Sequence, residues 1–268
     1  MISFDYPYNF DPFIPTEETM FDKLETESKI DDSWELHKLP LAHLINVHGV
    51  SFCQSLINNL DKSKKKILVC QHILVDQLQV DDNTVLASPH ASFSNDVISI
   101  PHYPVNGIEH PVERKELFGF VGSTSTHYTR KGIVKLFPKN CKDSGVHWGL
   151  DLNLPKDISA SFSHELSKCH FGLCPRGTGI SSVRLFEAMS IGTIPVIIAD
   201  GYRPPLHSII DWKSISVSIP ENKLKYIPSI LSEFTSKDIK DMRTRMQKVY
   251  MDYLSPNNFH KSIELIIQ

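Results

Sequence analysis

The apolar positions of this chain change period along its length, and the clearest succession of changes lies between Cys169 and Asp211. His170 to Cys174 is an apolar run of strand length, stopped by Pro175 and opened into a turn by Gly177 and Gly179. The pattern then turns helical. Val183, Leu185, Phe186, Ala188 and Met189 supply a broad apolar side, Arg184 and Glu187 lie one turn apart on another, and Ser181 or Ser182 is placed to cap the start. Gly192 ends the helix, and Thr193 to Ala199 is the β-branched run expected of a strand buried on both faces. The stretch predicts a β-α-β unit.

The same reading, taken from the start, gives alternating strands and helices. Residues 1 to about 35 hold no sustained period and read as an irregular arm; Phe4, Tyr6, Tyr8, Phe10 and Phe13 there are hydrophobic anchors or, alternatively, a sugar platform. Trp34 to Asn59 is mostly helical with a break near His48-Gly49. Lys64 to Cys70 is a basic lead-in to a buried parallel strand, Thr84 to Ala87 and Leu117 to Val121 are further strands, and Arg130 leads a basic amphipathic helix. A strand near Val146 to Asp151, a helix from Ile158 to Lys168, a strand from Ser214 to Ile219 and helices over Glu221 to Phe234 and Ser236 to Tyr253 complete the series. Lys139 to Leu154, with Gly145, Gly149, two asparagines and no clear period, is the expected boundary between two domains, 1–145 and 146–268. No internal repeat or low-complexity tract interrupts them.

Composition narrows the class. At 268 residues there is room for two modest α/β domains with few insertions, and 41% hydrophobic with 22% charged residues fits an ordinary globular chain. A net charge of -3 gives no electrostatic reason to expect nucleic acid as a partner. The N-terminus shows no targeting pattern, and no stretch approaches the length of a membrane span, so a soluble, cytoplasmic protein is expected. The five cysteines sit in apolar runs without C-x-x-C spacing and read as reduced core residues rather than metal ligands.

The β-α-β unit carries the chemistry. It sets a helix N-terminus, with its partial positive charge, beside the carboxyl end of a parallel strand, where open α/β sheets bind phosphorylated ligands. Arg176 and Arg184 flank the glycine turn as a fork suited to a pyrophosphate, Gly177 and Thr178 allow close backbone approach, and Glu187 is placed to accept from ribose hydroxyls. The plainer alternative makes Arg184 and Glu187 an i,i+3 surface pair. No Asp-x-Asp occurs, and the thirteen histidines show no H-E-x-x-H, so no metal site is expected, and Arg176, Arg184 and the helix N-terminus are the charges offered to a phosphorylated ligand. A hydrolase lacks its G-x-S-x-G elbow, and a dinucleotide oxidoreductase lacks the third glycine after Gly179.

Phe171-Gly-Leu-Cys-Pro-Arg-Gly, Ser182-Val-Arg-Leu-Phe-Glu-Ala-Met, Gly192-Thr-Ile-Pro-Val-Ile-Ile-Ala-Asp and Ile210-Asp-Trp resemble, in letters and spacing, the exostosin family of glycosyltransferases. The resemblance implies a GT-B fold, two Rossmann-like α/β domains facing a central cleft. It implies transfer from a UDP-sugar to a hydroxyl of a glycan acceptor with inversion, the donor being a substrate and no further cofactor being needed. Ser94 to Pro104 resembles the family's Asp-Val-x-Ile-Pro element. Arg114 to Ser123, with Arg130 after it, resembles its second phosphate-side element, facing the donor across the cleft; alternatively Arg130 is a solvated helix start. In this fold class the last helix often crosses back to the first domain. Animal and plant members usually carry a membrane anchor, and the form without one suits a bacterium or a large virus. An inactive nucleotide-sugar or glycan-binding subunit is the alternative function. For the general base, the first titratable residues after the Lys66–Cys70 strand are Asp76 and His72, with His90 and Asp96 behind them, while Asp76 as a simple cap is equally consistent.

Overall fold

The computed structural model describes residues 1–8, 15–104, 113–145 and 163–268. These form two compact units, each built on a five-stranded parallel sheet, which gives the α/β class and the pair of Rossmann-like units expected of a GT-B chain. The first unit contains Met1–Tyr103, Gly201–Ile209 and Tyr253–Gln268, and the second contains Pro104–Asp200 and Ile210–Asp252.

In the first unit the strands β1 (Ile2–Asp5), β2 (Trp34–Lys38), β3 (Lys65–Val69), β4 (Thr84–Ser88) and β5 (Ile98–Ser99) lie side by side in chain order. Alternation along β3 feeds two cores at once. Ile67 and Val69 pack with Met20, Phe21 and Leu24 of α1 (Pro15–Glu27) on one face. Leu68 packs on the other with Leu41, Leu44 and Ile45 of α2 (Leu41–His48) and Cys53 and Ile57 of α3 (Val50–Asn58). The break expected near His48-Gly49 is real, because Gly49 takes a φ of 85° between the two helices. The expected irregular arm is not: its described part forms edge strand β1 and the buried helix α1, whose apolar positions recur at helical spacing among many charges. Phe10 and Phe13 lie outside the described residues. Trp34 to Lys38 is a strand rather than a helix, its pairing to β1 and β3 overriding local propensity.

The second sheet runs β10 (Val217–Ser218), β9 (Ile194–Ile198), β8 (Cys169–Pro175), β6 (Glu116–Gly122), β7 (Cys141–Asp143). The expected boundary near residue 145 is therefore misplaced. Strand β6 and the helix after it, α4 (Tyr128–Leu136), belong to the second unit, because β6 pairs with β8. The expected strand over 146–151 and the start of the helix at 158 lie outside the described residues, and 163–167 is helical. After β8 the chain enters α5 (Val183–Ser190), which closes on Gly192 at a φ of 72°. The N–H groups of Gly192 and Thr193 return to the carbonyls of Met189 and Ala188, so a left-handed glycine ends the helix and turns the chain into β9. Side chains of β6, β8 and β9, among them Phe118, Phe171, Leu173, Ile194 and Val196, form the core of this unit.

Toward the C-terminus, the helix expected over 221–234 is a 3-10 segment, Glu221–Tyr226, followed by α6 (Ile227–Leu231), because Pro228 fits only the first turn of a new helix. Helix α7 (Ser236–Val249) then runs into a π-turn, and a further helix, α8 (Lys261–Ile267), lies in the first unit with Ile263 in its core.

Candidate functional site

The strand order of the second sheet reverses between β6 and β8. From β6 the chain passes through α4 to β7 on one side, and from β8 through α5 to β9 on the other. At such a switch point the connections leave the carboxyl ends of the two strands in opposite directions and open a crevice, which is where α/β sheets bind ligands. Two turns rim it: Ser123 to His127 after β6, and Arg176 to Ser182 after β8. The resemblance implies that the first of these faces the second across a cleft. They are neighbours in one sheet, because parallel pairing of β6 with β8 brings their carboxyl ends together.

Arg130 joins the two turns. Its Nε donates to the Arg176 carbonyl at 2.9 Å, one terminal nitrogen to the Pro175 carbonyl at 3.1 Å and the other to the Ser123 carbonyl at 3.3 Å. The side chain is buried, so neither a solvated helix start nor an open phosphate ligand describes it; it is a bracket under the crevice. A Cβ on Gly177 would stand 3.4 Å from the Arg130 guanidinium, an ordinary van der Waals contact, so the turn passes directly over the bracket. Thr178 reaches back to the Thr126 carbonyl at 3.5 Å, and the Arg176 guanidinium curls onto the carbonyl of Thr178 at 3.3 Å, so these residues form one rim.

Helix α5 starts at this rim. Ser182 is the N-cap in extended geometry, yet its hydroxyl makes no capping bond and, although buried, has no partner among the described residues. The backbone N–H of Gly177 approaches the Ser181 carbonyl at 3.5 Å, and Ser181 is buried. One turn into the helix, Arg184 and Glu187 form an ion pair. Both are almost fully buried, at 4% and 1% exposure, so the plainer alternative of a surface pair does not hold and the pair is an interior one. Burial raises its importance, since removing either partner leaves the other charged in a poorly solvated place.

The electrostatics follow from the count of charges. Arg130 and Arg184 against Glu187 leave one excess positive charge inside, with Arg176 adding another at the rim. Burial, and then the charge of Arg184, hold the Arg130 guanidinium down to about 10. The imidazole of His127, which caps α4, is lowered by burial and by Arg176, with Arg130 adding to it. A helix N-terminus and an excess of buried arginine charge make this crevice a place for an anion.

Sequence reasoning missed the outer wall. Tyr128 is 66% exposed, packs against His127 with the rings tilted by 39° and their centroids 4.3 Å apart, and donates to Glu221 at 2.7 Å. Glu221 in turn accepts from the Asp200 backbone N–H at 3.0 Å, beyond the carboxyl end of β9. Only pairing in space joins residues 93 positions apart; the one local sign was the cap His127-Tyr-Thr129.

The two base candidates lie in the first unit. Asp76 is exposed on a 3-10 turn, Val75–Gln77. His72 accepts the Leu74 N–H on Nδ1 at 3.1 Å and meets Asn46 through Nε2 at 3.1 Å, so both ring nitrogens are engaged, and burial lowers its affinity for a proton. Asp96 is exposed, with its charge near Arg203. All five cysteines are buried thiols, and among the described residues no group of three or more His, Cys, Asp or Glu could hold a metal ion. No helix of the described residues is long and apolar enough to cross a membrane.

A sequence profile described as the Exostosin GT47 domain matches residues 42–234. Similar proteins include an Exostosin-1 homolog of Caenorhabditis elegans, 33% identical over 89 residues, which are 33% of this chain and 23% of that protein. Another is a probable glucuronoxylan glucuronosyltransferase, IRX7, of Arabidopsis thaliana, 32% identical over 94 residues, 35% of this chain and 21% of that protein. Human Exostosin-2 is 31% identical over 88 residues, 33% of this chain and 12% of its own. The aligned part thus spans less than a quarter of each of these relatives. Among solved structures, an α1,3-fucosyltransferase with GDP is 14% identical with a TM-score of 0.41, over 78% of this chain and 75% of that one. The pneumococcal O-GlcNAc transferase GtfA in complex with UDP and GlcNAc is 10% identical with a TM-score of 0.41, over 94% of this chain and 58% of that one. With the profile matched over more than half of its length, the chain belongs to the exostosin GT47 family.

Proposed function

We propose that this chain is a glycosyltransferase that moves a sugar from a UDP-sugar to a hydroxyl of a glycan acceptor, with inversion and without a divalent metal. The observation that carries the donor half is the crevice between the β6 and β8 turns, bracketed by Arg130 and holding excess positive charge beside the start of α5. In this reading the diphosphate lies against Arg176, the backbone of Gly177 and Thr178, and the N-terminal turn at Ser181 and Ser182. Arg184, buried one turn into the helix, lends its charge to the leaving diphosphate from beneath, aimed by Glu187, whose 1% exposure leaves no open face for the expected ribose contact. Arg130 acts through the two turns it joins.

Fixed guanidinium charge of this kind replaces what a metal would supply: it stabilises the negative charge that develops on the diphosphate as the glycosidic bond breaks. In this reading the acceptor oxygen attacks the face opposite the leaving diphosphate in a single displacement, which inverts the anomeric carbon; the resemblance to the exostosin family, rather than the crevice, supports that outcome. Membership of the exostosin family and its glucuronosyltransferase relatives support the sugar-transfer reading.

Calorimetry with UDP, in parallel with transfer assays over a panel of UDP-sugars in EDTA, tests the proposal. UDP is expected to bind wild-type protein and to bind Arg184→Ala at least tenfold more weakly, the scale of one lost charge-assisted contact. Transfer abolished by EDTA and restored by manganese would remove the metal-free part. Equal binding of UDP by the variant would remove the donor site.

A further inference from the structure

The outer wall of the second unit holds an aromatic ring in place from two sides. Strands β6, β8, β9 and β10 all run parallel, so the segments after them leave the sheet at one edge. Asp200 follows β9 there and Glu221 follows β10, one and two strands away from β8. These two residues clasp each other: the Asp200 N–H donates to Glu221 Oε1 at 3.0 Å, and the Glu221 N–H donates to Asp200 Oδ1 at 3.2 Å. Glu221 Oε2 accepts the Tyr128 hydroxyl at 2.7 Å. The Tyr128 ring is thereby fixed by its backbone in the first turn of α4 and by its hydroxyl on a carboxylate that is itself fixed. It packs on His127, the last residue of the turn that rims the crevice after β6, and the side chain still lies 66% exposed. An ordered ring left in water gains little from burial, so the arrangement suits a flat surface kept ready for a ligand.

Charge changes sign along this edge. The Arg176 guanidinium turns onto the carbonyls of its own loop, Gly177 and Thr178, at 3.4 and 3.3 Å. Asp200 and Glu221 have no cationic partner among the described residues. All three charges reach Tyr128: its bond to Glu221 raises the hydroxyl above the usual tyrosine range, the charges of Glu221 and Asp200 add to this, and Arg176 opposes it. The edge is thus positive at the β6 and β8 turns and negative one strand further on, about 5 Å away and close to the width of a pyranose ring. We propose that Tyr128, Asp200 and Glu221 form the subsite for the donor's sugar, and that this sugar is an uncharged pyranose. The inference rests on the glycosyl-transfer reading above. The C–H face of the sugar lies on the Tyr128 ring, and its hydroxyls donate to Asp200, whose second oxygen has no partner among the described residues. Uracil, with two carbonyl oxygens, matches such a carboxylate pair poorly. A uronic acid would bring a third carboxylate to a place that offers it no cation.

The test uses the full chain and calorimetry with UDP, UDP-glucose, UDP-galactose, UDP-N-acetylglucosamine and UDP-glucuronate. At least one of the uncharged donors is expected to bind about tenfold or more tightly than UDP-glucuronate, the scale of one unpaired like-charge contact. On the unaltered protein, saturation-transfer NMR should reach the C–H protons of that donor's sugar. Tyr128→Ala should weaken this donor by roughly fivefold while leaving UDP near wild type, a split that loss of structure would not produce. Tyr128→Phe keeps the ring and should keep most of the affinity. Asp200→Asn should remove most of the discrimination against UDP-glucuronate. UDP-glucuronate bound as tightly as the best uncharged donor overturns the subsite, and so does unchanged binding of that donor by Tyr128→Ala. An equal loss of UDP and UDP-sugar by a Tyr128→Ala protein that unfolds in urea like wild type also overturns it, because the nucleoside would then lie on the ring. Failure of the wild-type protein to bind UDP at all overturns instead the donor site on which the inference rests.

Discussion

The Nε of Arg130 donates to the carbonyl oxygen of Arg176 at 2.9 Å, and through that bond a helix that follows one strand fixes the shape of a turn that follows another. The residue that the sequence offered as a phosphate ligand instead holds together the walls of the crevice. A buried guanidinium with three carbonyl acceptors has the fork geometry that lysine lacks.

Substitution of Arg130 should therefore act on stability and on UDP affinity together. Arg130→Ala leaves three carbonyls short of a donor and a cavity beneath Gly177; a loss of roughly 2–4 kcal/mol in urea unfolding is expected. Arg130→Lys keeps the charge and loses the fork, and should recover less than half of that loss. If Arg130→Lys matches wild type in both unfolding and UDP calorimetry, the bracket is not what shapes the crevice.

The buried pair of Arg184 and Glu187 separates structure from binding. Glu187→Leu alone strands a buried guanidinium and should cost roughly 3–5 kcal/mol, whereas the double change Arg184→Met with Glu187→Leu should regain most of it. UDP binding should not return with the stability. A double variant that binds UDP as wild type would show that the pair serves packing only.

Glu17 offers a pH signature in the first unit. Its Oε1 accepts from the Gln71 and Ala42 backbone N–H groups at 2.7 and 3.0 Å, its Oε2 has no partner among the described residues, and burial pushes its carboxyl up to about 8 from 4.5. Between those values the folded chain holds a proton that the unfolded chain does not. Its contribution is therefore full below about 4.5 and is lost as pH rises toward 8, by up to about 1.4 kcal/mol per pH unit. Buried histidines such as His102 act in the opposite sense, so the measurement is the difference between wild type and Glu17→Gln in urea unfolding across this window. Parallel curves for the two proteins would show that Glu17 does not titrate with folding.

Much of the donor half was legible in the sequence. Pro175, Gly177, Gly179 and Gly192 punctuate the β8-α5-β9 unit, and such punctuation is a local property: a glycine at positive φ or a proline at the end of a run acts on the residues beside it whatever lies elsewhere. The period of apolar positions, also local, marked β3, β4 and β6. The identity of Arg184 and Glu187 as one turn of a helix came from the same source. What the sequence could not contain was adjacency. Strand order placed β6 against β8 and so moved the first glycine turn into the second unit. Packing turned Arg130 from a free charge into a bracket and the Arg184–Glu187 pair from surface to interior. Parallel pairing of β4 with β5 set His90 against His102. Each of these depends on which distant segments share a core. That is decided by the burial of whole faces, a free energy summed over the chain, and no window of neighbouring residues carries it.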